Sequence, residues 1–260
     1  MYRSSIPTTE PAEPSKWEDP YDVQDRYSGK TGTALGAYGR QCDDCTGLNF
    51  FFWQGTEGAF HGAWRTVDAT DGWGDITFTK DVQKPVANSS LAVSHVPAGD
   101  GTRSIDLFYQ SSSGVLTHIV FDGEGSYRAE ALPRDDLGTR SSIAAFSTGS
   151  NETDSDNPEP LGFQVLTVDR DDDDQGTRGV HLTYFKDDSW TAGDDVASLS
   201  DCTAHATLAA NHGRRVYCVV GADTDSLEIV EWSWAATSTD NLAEYNKYNR
   251  VGAITLPKPE

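Results

Sequence analysis

A four-strand pattern that recurs four times constrains this chain more than any other feature of its sequence. The clearest copy is Ile105 to Asp122, in which IDLFYQ and VLTHIVFD are joined by SSSG. β-branched and aromatic residues favour strands, and a short turn ending in glycine favours an antiparallel hairpin. Gly114 supplies the positive φ that such a turn requires. Because a lone hairpin is barely stable in water, we expect neighbouring strands to cover it.

The same pattern runs from Thr33 to about residue 257. In each unit the first strand is small and apolar, the second and third are bulkier, and a fourth follows. First strands are predicted at 33–39, 89–96, 141–148 and 202–209, and second strands at 48–54, 105–110, 163–170 and 215–223. Third strands are predicted at 59–67, 115–122, 180–187 and 227–234, and fourth strands at 75–82, 126–133, 189–196 and 250–257. Four strands in about 50 to 60 residues are typical of a β-propeller blade.

The small first strands fit this fold, because inner strands crowd around the central axis while outer strands have room for aromatic rings. A β-sandwich also has many short strands, but it would not explain why small residues always fall in the same strand. We therefore predict an all-β β-propeller of four-stranded antiparallel blades, with four blades closed into a ring within one chain. Five blades, the fifth built from the two termini, is the alternative. Residues 1–30 are predicted to be a flexible proline-rich segment and residues 31–260 a single propeller domain.

The charge of the chain limits its partners. There are 41 acidic residues against 20 basic ones, which gives a formal net charge of −21. Nucleic acid and anionic membrane surfaces would be repelled, so neither is expected as a partner. Neutral and cationic ligands remain open. No apolar run approaches the length of a membrane span, so no transmembrane segment is expected.

Cysteines and sequons favour an extracellular protein. The four cysteines are Cys42, Cys45, Cys202 and Cys218, and the tripeptides at Asn88 and Asn151 would accept N-glycans in a secretory pathway. The first ten residues lack the apolar core of a signal peptide, as expected of a protein whose leader has been removed or of a cytosolic one. The predicted strands place Cys202 and Cys218 on either side of a turn, so we expect a disulfide between them. Cys42 and Cys45 are expected to form a second bridge.

The hairpin resembles the repeat of fungal and bacterial fucose-binding lectins. Their blades carry a pattern similar to I-R-V-Y-Y-Q-D-x-D-G-x-I-R-E, and Ile105 to His118, IDLFYQSSSGVLTH, aligns with it without a gap. The resemblance implies a β-propeller whose sugar sites each use the arginine, the glutamate twelve residues later and an aromatic ring that stacks on the sugar. Arginine donates hydrogen bonds in a rigid fork, and the carboxylate accepts them.

In most blades the residues at these two positions differ from the lectin pair. The positions are occupied by Asn49 and Gly62 in blade one, Asp106 and His118 in blade two, and Gln164 with Thr183 or Leu182 in blade three. A hydrogen bond to a charged group contributes roughly 1.5–3 kcal/mol, so losing two would weaken a micromolar site by roughly two to four powers of ten. Fucose binding of the lectin type is therefore not expected in blades one to three.

Blade four alone keeps the arginine. The sequence predicts a ligand site in the cleft between blades three and four, with Arg215 as donor, Glu228 or Glu231 as acceptor, and Trp190, Trp232 or Trp234 as stacking surfaces. The six histidines show no paired spacing, so no metal site is predicted. No cofactor is expected, and the motifs of common hydrolases are missing.

The predicted function is that of a secreted, acidic, lectin-like protein that binds a glycan, fucosylated or otherwise, through altered sites. A non-catalytic scaffold that binds a protein partner is the alternative, and a glycan-active hydrolase is less favoured. The oligomeric state is left open.

Overall fold

The four predicted units are four sheets in the structure. The computed structural model describes residues 2–3, 21–22, 27–40, 48–66, 73–96, 104–123, 125–138, 141–148, 162–170, 177–202, 208–211, 213–220, 227–235 and 246–256. Each sheet has four antiparallel strands joined in chain order, and we call these sheets blades one to four. A β-propeller of four-stranded antiparallel blades is therefore confirmed.

The strands have the following bounds. Blade one contains β3 (Leu35–Arg40), β4 (Leu48–Gln54), β5 (Phe60–Thr66) and β6 (Gly74–Phe78). Blade two contains β7 (Leu91–Val96), β8 (Ser104–Gln110), β9 (Leu116–Phe121) and β10 (Tyr127–Ala131). Blade three contains β11 (Ser142–Ser147), β12 (Phe163–Arg170), β13 (Thr177–Lys186) and β14 (Ser189–Asp195). Blade four contains β15 (Ala209–Asn211), β16 (Arg215–Val220), β17 (Glu228–Trp234) and β18 (Tyr248–Thr255).

The predicted strands match these bounds closely wherever the structure describes them. β4 and β12 have the predicted limits, and Gly114 adopts a φ of 82° in the turn of the blade-two hairpin. The first strand of blade four was predicted at 202–209; β15 begins at Ala209, and residues 203–207 lie outside the described residues, so that part of the strand stays a prediction. Cys202 follows a short 3₁₀ turn (Ala197–Leu199) and makes an isolated antiparallel bridge to Val220 of β16. No helix among the described residues is long and apolar enough to cross a membrane.

Neighbouring blades bury apolar faces against each other. Aromatic residues of blade one, Phe50 and Phe52 among them, pack against Leu107 and Tyr109 of blade two. A second cluster, containing Phe108, Ile143 and Phe163, joins blades two and three, and a third joins blades three and four. The first strands are also adjacent, since β3 lies against β7, β7 against β11, and β11 against β15.

Ring closure remains a prediction. Leu35 in β3 has the place that Leu91 has in β7, since each pairs with the sixth residue of its second strand. Leu91 packs against blade one and is 8% exposed, whereas Leu35 is 63% exposed. The face of blade one turned away from blade two is therefore uncovered at Leu35. The N-terminal segment contributes a separate pair of short strands, β1 (Tyr2–Arg3) with β2 (Tyr21–Asp22), and most of residues 1–30 lie outside the described residues.

Buried hydrogen bonds connect blades one and two to the segments that lead into the blades that follow them. The side chain of Gln54 donates to the carbonyl of Val86 (3.2 Å) and accepts from the backbone N–H of Asn88 (3.1 Å). The side chain of Gln110 donates to the carbonyls of Leu137 (3.1 Å) and Gly138 (2.7 Å). These glutamines end β4 and β8, so the same position performs the same task in two blades.

Serines at the start of the first strands make a second set of inter-blade contacts. The hydroxyl of Ser90 accepts a hydrogen bond from the backbone N–H of Ile143 (3.1 Å), and that of Ser142 accepts one from Leu208 (2.8 Å). A small polar residue at this position can approach the next blade closely and also satisfy a backbone N–H of that blade.

The predicted disulfide between Cys202 and Cys218 is present. Their Cα atoms are 5.8 Å apart, and both residues are buried in the apolar cluster between blades three and four. The bridge ties the segment that enters blade four to the middle of β16. Cys42 and Cys45 lie outside the described residues, so their bridge stays a prediction.

Replacing Gln110 by alanine should destabilise the protein by about 1–3 kcal/mol, because two buried carbonyls lose their donor. Urea unfolding followed by tryptophan fluorescence measures this loss. Gln83→Ala is the matched control, since Gln83 is exposed, and it should change stability by less than about 0.5 kcal/mol. Equal stabilities of the two variants would contradict the assigned role of Gln110.

Removing the bridge with Cys202→Ser and Cys218→Ser together should cost about 3 kcal/mol, as expected for a closed loop of this size. Differential scanning calorimetry should show the same fall in melting temperature when the wild type is reduced. A reductant that leaves the wild-type transition unchanged would show that the bridge does not stabilise the fold.

Candidate functional site

Arg215 and Glu231 come together on the face of blade four that is turned away from blade three. Arg215 begins β16 and Glu231 lies in the middle of β17, and the guanidinium Nε is 3.7 Å from the carboxylate Oε1. The hydroxyl of Tyr217 lies 3.4 Å from the same Oε1. All three side chains are partly exposed. An arginine, a carboxylate and a phenol are thus available to one ligand.

The strand register explains why Glu231 is at this position. Tyr217 pairs with Glu231 in blade four as Phe108 pairs with His118 in blade two. Four more residues separate Arg215 from Glu231 than separate Asp106 from His118. Two of them lie in the longer β16–β17 connection, and the other two extend β16 and β17 by one residue each beyond this pair. Glu231 therefore has the place of the lectin glutamate, although in the sequence it stands out of register.

The expected location of this site, in the cleft between blades three and four, is wrong. Residues alternate between the two faces of a strand. Trp232 and Trp234 therefore point away from Arg215 and are buried in the cluster that joins blades three and four. Phe146 of blade three contacts Trp234, with ring centroids 6.2 Å apart.

The two other predicted residues lie apart from Arg215. Glu228 is at the opposite end of β17 and pairs with Arg250 at 3.2 Å. Trp190 lies between blades two and three, where its indole N–H donates to Glu130 at 3.2 Å. Of the acceptors and rings proposed from sequence, only Glu231 joins Arg215. Tyr217 was missed, although its place two residues after Arg215 in a strand could have indicated that it shares the same face.

In blade two, the place of the lectin pair is filled by the protein's own side chains. Asp106 and His118 are 2% and 3% exposed. His118 Nε2 lies 2.8 Å from Asp106, and its Nδ1 lies 2.9 Å from Glu130. The ring of Phe108 stacks on His118 at 4.6 Å, and Trp190 of blade three meets it edge-on at 5.3 Å. A sugar would have to displace this cluster to reach Asp106 and His118; the expected absence of lectin-type fucose binding in blade two stays a prediction.

Burial alone would lower the pKa of His118, but the hydrogen bonds and charges of Asp106 and Glu130 outweigh it and raise this pKa. The hydrogen bond from His118 in turn lowers the pKa of Glu130. A protonated imidazole donates from both nitrogens, whereas a neutral one donates from a single nitrogen. The imidazolium is therefore the form that satisfies both carboxylates.

Blades one and three also hold apolar or bonded side chains at these positions. By register, Phe50 rather than Asn49 corresponds to Asp106, so that part of the alignment was wrong by one residue. Gly62 pairs with Phe52 as His118 pairs with Phe108, so Gly62 occupies the second position, as the alignment predicted. In blade three the second position belongs to Leu182, which is buried, and Gln164 is bonded to the hydroxyl of Tyr248.

Of the two predicted glycosylation sites, the structure describes Asn88 but not Asn151. Asn88 adopts a φ of 60° in the segment that leads from blade one to blade two, with its backbone N–H bonded to Gln54. Asn151 lies outside the described residues. Glycosylation at both positions stays a prediction.

Solved structures of lectins share the fold of this chain. A six-bladed β-propeller fungal lectin from Aleuria aurantia superposes with a TM-score of 0.61 at 16% identity, over 89% of this chain and 67% of that one. The SapL1 lectin, solved with α-methyl fucoside, gives 0.60 at 14% identity over 89% and 67%. AofleA from Arthrobotrys oligospora gives 0.57 at 14% identity over 88% and 60%.

The chain thus spans about two thirds of the length of these lectins or less. No family model and no curated protein matches the sequence. At these identities the likeness concerns the fold, and the resemblance to fucose-binding lectins predicted from the blade-two hairpin is confirmed at that level.

The His118 contacts should make stability depend on pH at both ends of the range. A raised pKa in the folded state stabilises fully below the ordinary value of 6.5, and this stabilisation is lost as pH rises through the folded-state pKa. The lowered pKa of Glu130 adds stability above its ordinary value of 4.5, which is lost as pH falls through the folded-state pKa. Melting temperatures should therefore fall more steeply at both acid and alkaline pH for the wild type than for His118→Gln, whose profile should be flatter. Parallel curves would contradict this role of His118.

Proposed function

We propose that this protein is a non-catalytic carbohydrate-binding β-propeller with one ligand site on the outer face of blade four. The observation that carries the proposal is the placement of Arg215 and Glu231 on one exposed face, in the register of the pair that the lectin repeat uses. In the other three blades the second position is held by glycine, histidine or leucine.

The chemistry of the pair suits a hydroxylated ligand. Arg215 donates several hydrogen bonds from a planar fork, Glu231 accepts, and Tyr217 offers both a hydroxyl and a ring face. At 3.7 Å the contact between Arg215 and Glu231 is longer than a good hydrogen bond. A sugar hydroxyl can therefore bond to both groups. An exposed ion pair of this kind contributes at most about 1 kcal/mol to the free energy of unfolding. Its contribution to stability is therefore a weak explanation for the presence of the pair.

The proposed ligand class follows from the solved neighbours. SapL1 and the Aleuria aurantia lectin were solved with α-methyl fucosides, and the latter also with Fucα1-6GlcNAc. We propose a fucosylated or related neutral glycan as the ligand here. A neutral sugar is compatible with a net charge of −21, which disfavours anionic ligands.

Secretion is part of this proposal. The Cys202–Cys218 bridge is typical of proteins that fold in an oxidising compartment. An extracellular protein would meet glycans on other cells or in the surrounding matrix.

A protein-binding scaffold is the second candidate, and one observation favours it. Blade four also exposes Ile229, Val251 and Ile254, of which Ile254 is 69% exposed. Exposed apolar residues that lie close together are typical of surfaces that bind a protein partner.

Titration calorimetry with α-methyl fucoside and α-methyl galactoside tests the proposal. Arg215→Ala and Glu231→Gln should each weaken binding by about tenfold or more, because each removes a charged hydrogen-bonding partner. Arg250→Ala is the matched control, since it breaks a second exposed ion pair among the described residues of blade four, with Glu228, and should leave affinity unchanged.

Melting temperatures of all variants should stay within a few degrees of the wild type, since the side chains are partly exposed. No binding of any sugar by the wild type, at millimolar concentration and across a glycan array, would refute the site and favour the scaffold. Release of reducing sugar from a bound glycan would instead identify a hydrolase.

A further inference from the structure

Blade one carries a cavity that is separate from the site proposed on blade four. It has a volume of about 370 Å³ and lies on the face of blade one that is turned away from blade two. Its lining comes from the segment before β3, from β4 to β6 and from the β4–β5 turn, and consists of Tyr27, Ser28, Trp53, Thr56, Glu57, His61, Asp75 and Thr77.

The walls of this cavity are held in place by mutual contacts. The rings of Trp53 and His61 stack, with centroids 5.4 Å apart and an interplanar angle of 15°. Tyr27 meets Trp53 edge-on at 5.2 Å, and the indole N–H of Trp53 donates to the carbonyl of Ser28 at 3.3 Å. The cavity therefore has an aromatic wall whose parts cannot rotate independently.

His61 is fixed at both ring nitrogens. Its Nε2 is hydrogen-bonded to the carboxylate of Glu57, and its Nδ1 lies 3.1 Å from the hydroxyl of Thr77. Glu57 is thereby held in a defined position, although its side chain remains half exposed. A carboxylate that is both held and exposed can accept a further hydrogen bond without much loss of its own freedom.

The charges of the lining select the ligand. Two carboxylates, Glu57 and Asp75, line the cavity, and none of its lining residues is a lysine or an arginine. A hydrogen bond from its own backbone N–H and one from His61 lower the pKa of Glu57, so this carboxylate is ionised at neutral pH. Ser28 and Thr56 line the same wall, and the side chain of Thr56 is hydrogen-bonded to Glu57.

From this geometry we infer that the cavity of blade one is a second binding site, for a small hydroxylated primary amine such as an amino sugar. The ammonium group would donate to Glu57, and the carbon skeleton would lie against the rings of Tyr27 and His61. Charge-assisted hydrogen bonds to carboxylates are stronger than neutral ones and give the amine its preference over an uncharged analogue. The net charge of −21 raises the local concentration of cations around the protein.

This site is independent of the one proposed on blade four. It uses no residue of that site, and its ligand differs in charge, since blade four offers an arginine donor and blade one offers carboxylate acceptors. Either site can therefore fail its test without affecting the other.

Saturation-transfer NMR and calorimetry with glucosamine, N-acetylglucosamine and glucose test the inference on the full chain. Glucosamine should bind about tenfold or more tightly than the two neutral sugars, because they lack the ammonium donor. Its affinity should fall as ionic strength rises. Glu57→Gln and Asp75→Asn should each reduce glucosamine binding, whereas Arg215→Ala should not.

Asp187→Asn is the matched control, because Asp187 is an exposed carboxylate on the β13–β14 turn of blade three. It removes the same charge from the protein without touching the cavity, so glucosamine binding should be retained. Equal loss in this control would mean that the amine is attracted only by the overall charge, which would overturn the inference. Equal binding of glucosamine and N-acetylglucosamine, or no binding of either, would overturn it as well.

Discussion

Hydrogen bonds buried between blades are the constraint on which the architecture depends. Apolar packing between blade faces supplies most of the driving force, but it is non-directional and does not set the angle between two sheets. Gln110 does so by donating to two carbonyls of the segment that enters blade three, and Ser90 does so by accepting from the backbone of β11. Since buried polar groups must be paired, only a narrow range of blade orientations satisfies these contacts.

Hydrogen bonds to the backbone of the same two glutamines show where the first two repeating units begin. Val86 donates its backbone N–H to the carbonyl of Gln110, and Lys30 donates in the same way to Gln54. The N–H groups of the two glutamines are in turn bonded to hydroxyls of Ser89 and Thr33. The segment that enters blade one therefore repeats the segment that enters blade two, although its sequence differs. It is this segment that brings Tyr27 against Trp53 and forms a wall of the blade-one cavity.

The fate of each ligand position follows from whether a neighbouring blade covers it. Between blades two and three, the place of the lectin pair lies in a closed interface, and Asp106, His118 and Glu130 satisfy one another there. On blade four the corresponding face is turned away from blade three, so Arg215 and Glu231 remain in contact with water. A buried position must fill its own hydrogen bonds, whereas an exposed one can keep them for a ligand.

The sequence by itself determined the four units, the four strands of each and most strand limits, because a period-2 pattern with turns between the strands is a local property. It also predicted the Cys202–Cys218 bridge, since both residues flank one turn. It offered both Glu228 and Glu231 as acceptors for Arg215 and could not choose between them. It also could not place Trp232 on the opposite face, because the longer β16–β17 hairpin conceals the register that pairs Tyr217 with Glu231. The partners of His118 and the blade-one cavity were likewise decided by the tertiary structure. They arise from side chains far apart in the sequence, and only the packing of sheets and connecting segments brings such groups together.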